Sequence, residues 1–434
     1  MKVTPRTPSG FLELLPAEQI VFNQMIKKIQ HTYELFGFTP IETPAIEYSE
    51  ILLAKAGGET EKQIYRFTKG SNDLCLHFDL TVPLARYVAE HANQITFPFR
   101  RYQIQKVWRA ERPQRGRFRE FYQCDIDVIG SFNPLIDAEI PSVIFTVFKN
   151  LGFEKFTIKV NNRKVLNGFL AGIGAEEQSQ DILRLIDKVE KISRDDLIKE
   201  AESQGISKTV MTRVFELIDV KGTNEEVLKK LKELPVNNDK YTAGIKELEL
   251  VLSGMSKFKI PPEAYKVDLT IARGLDYYTG TVYETTLDDY PSIGSVCSGG
   301  RYDDLASHYT NATLPGVGVS IGLTRLFDQL RLAGALNITS SIPTKVLVVP
   351  ISEEFLGAAM ETATEFRHHE VSAEVYLEEG RFGKKLDYAN KQGVPFVAIV
   401  GTEEVQENEL VLKNMADSSQ VVVTIDQASE IVKK

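Results

Sequence analysis

The feature that most limits what this 434-residue chain can fold into is a basic and aromatic hairpin between Arg100 and Val128. Successive side chains of a β-strand point to opposite faces, so each arm of the hairpin has one mainly polar face and one apolar face. The polar face of the first arm comprises Arg101, Gln103, Gln105, Val107 and Arg109. The matching face of the second arm comprises Arg119, Phe121, Gln123, Asp125 and Asp127. The two arms predict an antiparallel pair whose polar face suits a charged, planar ligand.

The hairpin is basic although the whole chain is acidic. From Arg100 to Glu120 there are eight Lys and Arg residues and two Glu residues, whereas the chain has a formal net charge of -9. A positive surplus confined to one segment predicts that a polyanion binds locally. The same pattern is typical of an ordinary hairpin with a solvated, arginine-rich face. The charge pattern alone leaves both interpretations open.

Length and composition indicate a chain of several domains. The chain is longer than the roughly 250 to 300 residues at which a single core stops growing, so we expect two or three domains. Its three cysteines are widely spaced, which predicts neither a disulfide framework nor a metal site made by the protein alone. No run of about 18 apolar residues occurs, and the amino terminus has no apolar signal region. We therefore expect a cytoplasmic protein without membrane segments.

Two groups of residues carry a resemblance to the histidyl-tRNA synthetases, which are class II aminoacyl-tRNA synthetases. The segment from Arg109 to Asp127, with RAE before a basic loop and REFYQCDID after it, resembles their motif 2. The segments Ala272 to Thr285, ARGLDYYTGTVYET, and Gly299 to Asp303, GGRYD, resemble the two histidine-pocket motifs of that family. These pocket motifs are far more specific than a generic glycine-rich pattern.

Three further segments extend the resemblance. The predicted helix Pro16 to Phe36 and the following GFTPIETPAIEYSEIL resemble motif 1, the dimer element of class II synthetases. Leu76 to Tyr87, LHFDLTVPLARY, resembles the segment that binds the amino acid. Leu314 to Leu326, LPGVGVSIGLTRL, resembles motif 3, a strand that leads into a helix presenting an arginine.

The resemblance implies an α/β (α+β) fold with a class II antiparallel-sheet catalytic domain over residues 1–330. Apolar stripes at helical spacing predict a helical insertion at 167–256 within that domain. From 344 to 434 a βαβ rhythm resembles the anticodon-binding domain of related synthetases. This last segment has 9 Lys and Arg residues and 16 Asp and Glu residues, so specific contacts must place the anticodon.

The resemblance implies an ATP site. The residues that it assigns to ATP are Arg109, Glu111, Arg117, Phe121 and Arg325. Arg109 and Arg273 would face the α-phosphate, with Arg273 as the electrophilic catalyst, because guanidinium groups stay protonated and offer forked donors to phosphate oxygens. Phe121 and Arg325 would stack on the two faces of adenine, and Mg²⁺ would bridge the phosphates. ATP and Mg²⁺ are the expected cofactors.

The resemblance also implies a histidine site. The residues that it assigns to L-histidine are Asp79, Thr81, Gln123, Asp127, Tyr277, Tyr278, Gly300 and Tyr302. Asp79 and Thr81, two residues apart in a segment that we expect to be extended, would hold the α-ammonium group together with Gln123. Asp127 would accept a hydrogen bond from one ring N–H while Tyr278 meets the other ring nitrogen.

Two residues depart from the family pattern. Many bacterial members have glutamate at the position of Asp79, which shortens the reach of the carboxylate by one methylene group. His77 stands where the family commonly has arginine, and the sequence does not indicate what His77 does instead.

The expected activity is ATP-dependent ligation of L-histidine to its tRNA by a homodimer formed through motif 1. Gln114 and Arg115 at the hairpin tip are candidates for contacts with the acceptor end of tRNA. One alternative is the histidine-sensing regulatory subunit of ATP phosphoribosyltransferase, which the set Arg109, Arg273 and Arg325 and the domain after Thr344 disfavour. Another is an RNA-binding or sensor module, for which an intact ATP site would be superfluous.

Overall fold

The structure, a computed structural model, describes residues 2–54, 61–112, 116–189, 191–271, 278–338, 342–402, 407 and 409–434. The chain divides into two compact units. The first consists of the residues up to Glu13 together with Met25–Ala335, and the second of Leu14–Gln24 together with Leu336–Lys434. Both units combine helices with a mixed sheet, so the predicted α/β fold class is confirmed.

The predicted amino-terminal helix is confirmed as α1, Pro16–Leu35. Met25, Ile29 and Tyr33 lie on one helical stripe and are buried, and Gly37 follows in the left-handed conformation that ends many helices. The elements after α1 are β1 Thr39–Pro40, β2 Ile46–Tyr48, α2 Ser49–Leu53, β3 Arg66–Lys69, β4 Asn72–Leu76 and α3 Thr81–Glu90. Strands β2, β4 and β3 form a small antiparallel sheet in that order.

An eight-stranded sheet forms the centre of the first unit. The strands that join β1 in this sheet are β5 Phe99–Trp108, β6 Glu120–Ile129, β7 Phe156–Asn162, β8 Tyr265–Val267, β9 Thr281–Leu287, β10 Ser295–Tyr302 and β11 Gly316–Gly322. Their spatial order is β1-β5-β6-β11-β10-β9-β7-β8. Only the pairs β1–β5 and β7–β8 are parallel, so the sheet is mainly antiparallel, as the resemblance implied.

The hairpin and its two faces are confirmed by the pairing of β5 with β6. Arg101 lies opposite Asp127, Gln103 opposite Asp125, and Gln105 opposite Gln123. The apolar face packs on α1, where Tyr33 OH donates a hydrogen bond to the Cys124 carbonyl oxygen at 3.0 Å. The inner part of the polar face is buried at Arg101 and Gln103. Gln103 Nε2 donates to Thr43 Oγ1, and Gln105 Nε2 donates to the Thr43 carbonyl oxygen.

Helices fill the chain between β6 and β8, interrupted by β7. They are α4 Pro134–Leu151, α5 Arg163–Gly172, α6 Ser179–Ile186, α7 Arg194–Ser203, α8 Lys208–Ile218, α9 Asn224–Glu233 and α10 Asp239–Lys257. Helix α6 ends at Ile186, after which Lys188 N and Val189 N bond three residues back instead of four, so the chain turns.

The second unit has a five-stranded sheet with helices on both faces. Its remaining elements are β12 Val346–Pro350, α12 Leu356–His368, β13 Ala373–Val375, α13 Phe382–Gln392, β14 Phe396–Val400, β15 Leu410–Asn414, β16 Gln420–Val423 and α14 Ile425–Lys433. Val346 and Val348 pack towards α12 and α14, whereas Leu347 and Val349 pack towards α13. The predicted βαβ rhythm is confirmed, because β12 pairs parallel with β13 and β14.

The last helix of the first unit is α11, Leu323–Leu332, which follows β11 and carries Arg325. Within the described ranges, no helix combines the length and the apolar character needed to cross a membrane.

Candidate active site

A cavity of about 500 Å³ opens on the polar face of the β5–β6 hairpin. Its walls come from both arms of the hairpin, from the start of α3 and from strands β9, β10 and β11. The predicted site residues among the lining side chains are Asp79, Thr81, Arg109, Glu111, Arg117, Phe121, Gln123, Tyr278 and Arg325. Residues separated by up to about 250 positions in the chain therefore meet at one site.

The other predicted residues fall into two groups. Asp127 and Tyr302 are buried beside the cavity, and Gly300 follows the lining residue Gly299 on β10. Four of the predicted residues lie outside the described ranges, so their roles stay predictions: Gln114, Arg115, Arg273 and Tyr277.

Arg109 and Phe121 form one wall of the cavity. Arg109 Nε donates to the Phe78 carbonyl oxygen at 3.0 Å, and the guanidinium carbon lies 5.2 Å from the centroid of the Phe121 ring. This arrangement fixes a cation and an aromatic face next to each other on the open end of the hairpin. Such a surface can hold a phosphate group and a planar base.

Further charges extend this wall. Arg117 Nη1 lies 3.4 Å from Glu111 Oε2, an ion pair that joins the two arms of the hairpin near its tip. Arg325 Nη2 donates to the Ile293 carbonyl oxygen at 2.5 Å, which anchors this side chain against the turn that precedes β10. The motif 2 and motif 3 arginines thus line one cavity.

Asp79 and Thr81 meet the cavity in a different conformation from the one expected. The sequence predicted an extended segment, but Thr81 is the first residue of α3 and Asp79 Oδ1 accepts a hydrogen bond from Val82 N at 3.0 Å. The prediction is wrong because the carboxylate satisfies a free N–H group of the first helical turn. Both side chains still line the cavity.

Two cavity-lining residues have a buried acceptor atom without a hydrogen-bond partner among the described residues: Asp79 Oδ2 and Gln123 Oε1. Asp125 Oδ1, on the same strand as Gln123 but outside the lining, is also without a partner. Gln123 Nε2 donates to Ser320 Oγ at 2.6 Å, so its amide orientation leaves Oε1 as the unused acceptor. Folded proteins rarely leave buried acceptors unpaired, and these atoms therefore indicate a ligand that donates hydrogen bonds.

Arg101 is a buried charged residue that the sequence placed on the polar face of the hairpin and to which it assigned no role. It is fully buried, and its Nη2 atom lies 2.5 Å from Asp127 Oδ2. Asp127 Oδ1 accepts from Tyr302 OH at 2.6 Å. Burial raises the pKa of Asp127 to about 6 and that of Asp125 to about 7, while the charge of Arg101 opposes both shifts.

A glycine beside Asp127 makes room for its carboxylate. Gly318 on β11 lies opposite Asp127 in the sheet, and a Cβ atom at this position would overlap Asp127 Oδ1. The motif 3 strand therefore needs glycine here for close approach.

Arg301 and Asp137 form a second long-range pair that the sequence did not reveal. Arg301 Nε lies 3.0 Å from both carboxylate oxygens of Asp137, and Thr281 Oγ1 donates to Asp137 Oδ2 at 2.7 Å. The Arg301 carbonyl oxygen accepts from Thr279 N at 2.8 Å. The pair thus anchors the chain next to the cavity residue Tyr278.

His77 ties the segment before α3 to β5. Its Nε2 atom lies 2.7 Å from the Lys106 carbonyl oxygen, and its ring centroid lies 5.4 Å from that of Trp108. Burial lowers the pKa of His77. A neutral imidazole therefore ties this segment to β5.

Within the part of the chain that the structure describes, no group of three or more His, Cys, Asp or Glu side chains is placed to hold a metal ion. The carboxylates on the cavity wall besides Asp79 belong to Glu111 and Glu284. Carboxylate oxygens are ligands that Mg²⁺ accepts, and Mg²⁺ commonly takes most of its ligands from phosphates and water.

The fold and the cavity together define a class II aminoacyl-tRNA synthetase. A family model described as histidyl-tRNA synthetase matches residues 10–326, and one described as anticodon binding domain matches residues 345–434. The curated histidine–tRNA ligase of Clostridium tetani is 54% identical, over 99% of this chain and 98% of that protein. The chain belongs to the histidyl-tRNA synthetase family.

Solved structures agree with this assignment. The histidyl-tRNA synthetase from Nostoc sp. PCC 7120 matches with a TM-score of 0.90 and 39% identity, over 100% of this chain and 99% of that one. A Bacillus halodurans structure described as an ATP phosphoribosyltransferase regulatory subunit/histidyl-tRNA synthetase matches with a TM-score of 0.77 over 93% of this chain. At 21% identity, that second likeness shows the fold alone.

We predict that Asp125→Asn changes how stability depends on pH. Because burial raises the pKa of Asp125 to about 7 from 3.8, the native state binds this proton more tightly than the unfolded state, and the free energy of unfolding falls as pH rises from about 4 to 7. The Asp125→Asn variant has no carboxyl group at this position, so it does not lose stability in this way. Its stability relative to the unmodified protein should rise by on the order of 2 kcal/mol between pH 5 and pH 8, measured by urea unfolding.

Asp289→Asn, at an exposed carboxyl group, is the matched control and should show no such change between the two pH values. A relative stability of Asp125→Asn that is the same at pH 5 and pH 8 would contradict the prediction.

Proposed function

We propose that this chain ligates L-histidine to its tRNA, first forming histidyl-adenylate from ATP with release of pyrophosphate, then releasing AMP on transfer to tRNA. The observation that carries the proposal is that one cavity is lined both by the Arg109–Phe121 pair and by Asp79 and Gln123. Asp79 and Gln123 each have a buried acceptor atom without a partner among the described residues. A nucleotide fits the first pair, and an ammonium group fits the second. The cavity volume of about 500 Å³ is in the range of small-molecule sites.

In the first step a carboxylate oxygen of histidine attacks the α-phosphorus, and the bond from that phosphorus to the bridging oxygen of pyrophosphate breaks. Negative charge gathers on the α-phosphate, where Arg109 and Arg273 supply fixed positive charge. Glu111 and Arg117 hold the bent nucleotide, and Phe121 and Arg325 bracket adenine. Mg²⁺, when bound, neutralises the phosphates, and Glu111 and Glu284 are the carboxylates that the wall offers to it.

Histidine is recognised at both ends of the molecule. Asp79, Thr81 and Gln123 accept from the α-ammonium group, and Asp127 and Tyr278 meet the two ring nitrogens, with Tyr277, Gly300 and Tyr302 closing the pocket. Both oxygens of Asp127 already have a partner, but each oxygen retains a second lone pair that can accept from the ring. A site of this kind rejects analogues without ring nitrogens by about 10⁴ or more, because its buried polar groups would stay unpaired.

The second step transfers histidine to the 3′ end of tRNA. A ribose hydroxyl attacks the carbonyl carbon of the adenylate, the bond to AMP breaks, and the phosphate of the leaving AMP takes the proton. Gln114 and Arg115 contact the acceptor end, and the carboxy-terminal domain at 344–434 binds the anticodon. A helical insertion at 167–256 lies within the catalytic domain at 1–330. Because aminoacyl-tRNA is used in protein synthesis, the expected location is the cytoplasm.

The partner of the small β2-β4-β3 sheet is a second copy of this chain. Ile46, Tyr48 and Phe67 are 47%, 52% and 39% exposed and share one face of that sheet with Leu74 and Leu76. An open apolar sheet face is typical of an interface, and β2 belongs to the segment that resembles motif 1. A twofold homodimer buries the same face on both chains.

The test of the function is histidine-dependent exchange of labelled pyrophosphate into ATP. We expect exchange with L-histidine and none with L-phenylalanine, since the adenylate forms reversibly before tRNA is needed. Charging of a tRNA transcript with labelled histidine then tests the second step. Tight histidine binding without any exchange would favour a histidine sensor and contradict the proposal.

Arg273→Ala should reduce kcat/KM for exchange by about 150-fold, or roughly 3 kcal/mol of transition-state stabilisation, because the α-phosphate loses a fixed cation. Arg184→Ala, an exposed arginine on α6, serves as the control and should leave the rate unchanged. An Arg273→Ala protein with the exchange rate of the control would remove Arg273 from the mechanism.

Tyr48→Lys should convert the dimer into single chains in light-scattering measurements at micromolar concentration, because a charge is placed in the centre of the apolar face. Leu377→Lys, at an apolar residue that is 59% exposed in the second compact unit, should leave the dimer intact. A single-chain mass for the unmodified protein would show that the dimer proposal is wrong.

A further inference from the structure

Arg101 is a buried cation that none of the proposed steps uses. Its side chain is 0% exposed, and it projects from β5 on the face that also carries the hairpin residues of the cavity. A guanidinium group stays protonated at any working pH, so its burial requires a compensating charge. Arg101 is not among the described residues that line the cavity. Any effect on a substrate must pass through a neighbour.

That neighbour is Asp127, which lies directly opposite Arg101 in the β5–β6 pair. Arg101 Nη2 is 2.5 Å from Asp127 Oδ2, and Tyr302 OH donates to Asp127 Oδ1 at 2.6 Å. Gly318 has no side chain and leaves the space that Asp127 Oδ1 occupies. The groups on β5 and β10 therefore fix the direction in which the carboxylate presents its remaining lone pairs.

Arg101 also counters the crowding of carboxyl groups around Asp127. Burial raises the pKa of Asp127 and that of Asp125, whereas Arg101 lowers both pKa values. The charge of Asp79 raises both pKa values further, and the charge of Asp127 also raises the pKa of Asp125. Without a cation, a buried carboxyl group near another takes up a proton. A protonated carboxyl oxygen donates a hydrogen bond instead of accepting one.

We propose that Arg101 is a positioning residue for histidine recognition: its ion pair with Oδ2 holds Asp127 as an ionised, oriented acceptor for the N–H group of an imidazole ring. This inference rests on the proposed function, in which Asp127 meets the ring. Arg101 therefore sets selectivity for a five-membered ring with an N–H donor and does not contribute to nucleotide binding.

The experiment compares substitutions at Arg101 in pyrophosphate exchange. Arg101→Met should raise the KM for histidine about tenfold or more and change the KM for ATP by less than about twofold. Arg101→Lys keeps the cation and should recover part of the loss. A general disturbance of the fold would instead raise both KM values or reduce kcat alone, and either result would overturn the inference.

Arg100 provides a matched control on the same strand. Arg100 Nη1 and Nη2 donate to the two carboxylate oxygens of Glu139 at 2.9 and 2.8 Å, but Arg100 points to the opposite face of β5. Arg100→Met removes an arginine from an ion pair, as Arg101→Met does. It should leave the KM for histidine unchanged, and a rise equal to that of Arg101→Met would contradict a specific role.

The double variant Arg101→Met/Asp127→Asn guards against a protein that fails to fold, because it removes both charges of the buried pair together. If Arg101 acts through Asp127, the double variant should have the same KM for histidine as Asp127→Asn alone. If the free-energy costs of the two substitutions to the KM for histidine simply add, Arg101 acts independently of Asp127, and the inference is overturned.

A failure of the proposed function can be told apart from a failure of this inference. If the unmodified protein gives no exchange, the proposed function fails, and calorimetric titration with L-histidine then tests Arg101 by itself. Binding that is weakened by Arg101→Met and not by Arg100→Met supports the inference. Binding that Arg101→Met leaves unchanged overturns it.

Discussion

The register between β5 and β6 is the constraint on which the rest of the site depends. Strand side chains alternate between faces, so a slip of β6 by one residue would move Gln123 and Asp127 to the apolar side, away from Arg109. The apolar face resists that slip, because its side chains pack against α1 and the Cys124 carbonyl oxygen accepts from Tyr33 OH. Hydrophobic burial on one side of the hairpin thereby fixes the polar chemistry on the other.

The site keeps polar atoms buried at a cost to stability. Asp79, Gln123 and Asp125 each retain an acceptor atom without a partner among the described residues, and unpaired buried groups oppose folding. Two charged pairs lie near them. The contacts of Arg301 with Asp137 and of Arg101 with Asp127 join strands of the large sheet to one another and to α4. Ion pairs that are already formed thus support a pocket whose acceptor atoms remain available to a ligand.

Much of the fold could be predicted from patterns that are local in the sequence. Alternation over Arg100–Val128 gave the hairpin and its faces, helical spacing gave α1, and apolar runs after Thr344 gave the parallel strands. Local patterns failed at boundaries. Asp79 was expected in an extended segment, yet its carboxylate accepts from Val82 N at the start of α3, and this depends on where the helix begins.

The candidate site was predictable only in part. The motif residues indicated Arg109, Phe121 and Gln123, and the fold brings them to one cavity. No motif indicated that Arg101 pairs with Asp127, or that Arg301 pairs with Asp137 across 164 residues of sequence. Such pairs leave no local signal, because either residue alone resembles an ordinary charged position.

The sequence by itself determined the family, the faces of the hairpin and the types of side chain available for a nucleotide and an amino acid. Only the tertiary structure decided which of these side chains meet the cavity and which stand beside it. The reason is physical. Periodicity along a strand or helix fixes direction within one element, whereas the burial of Arg101, the fit of Asp127 against Gly318 and the partners of each carboxylate depend on how neighbouring strands pack.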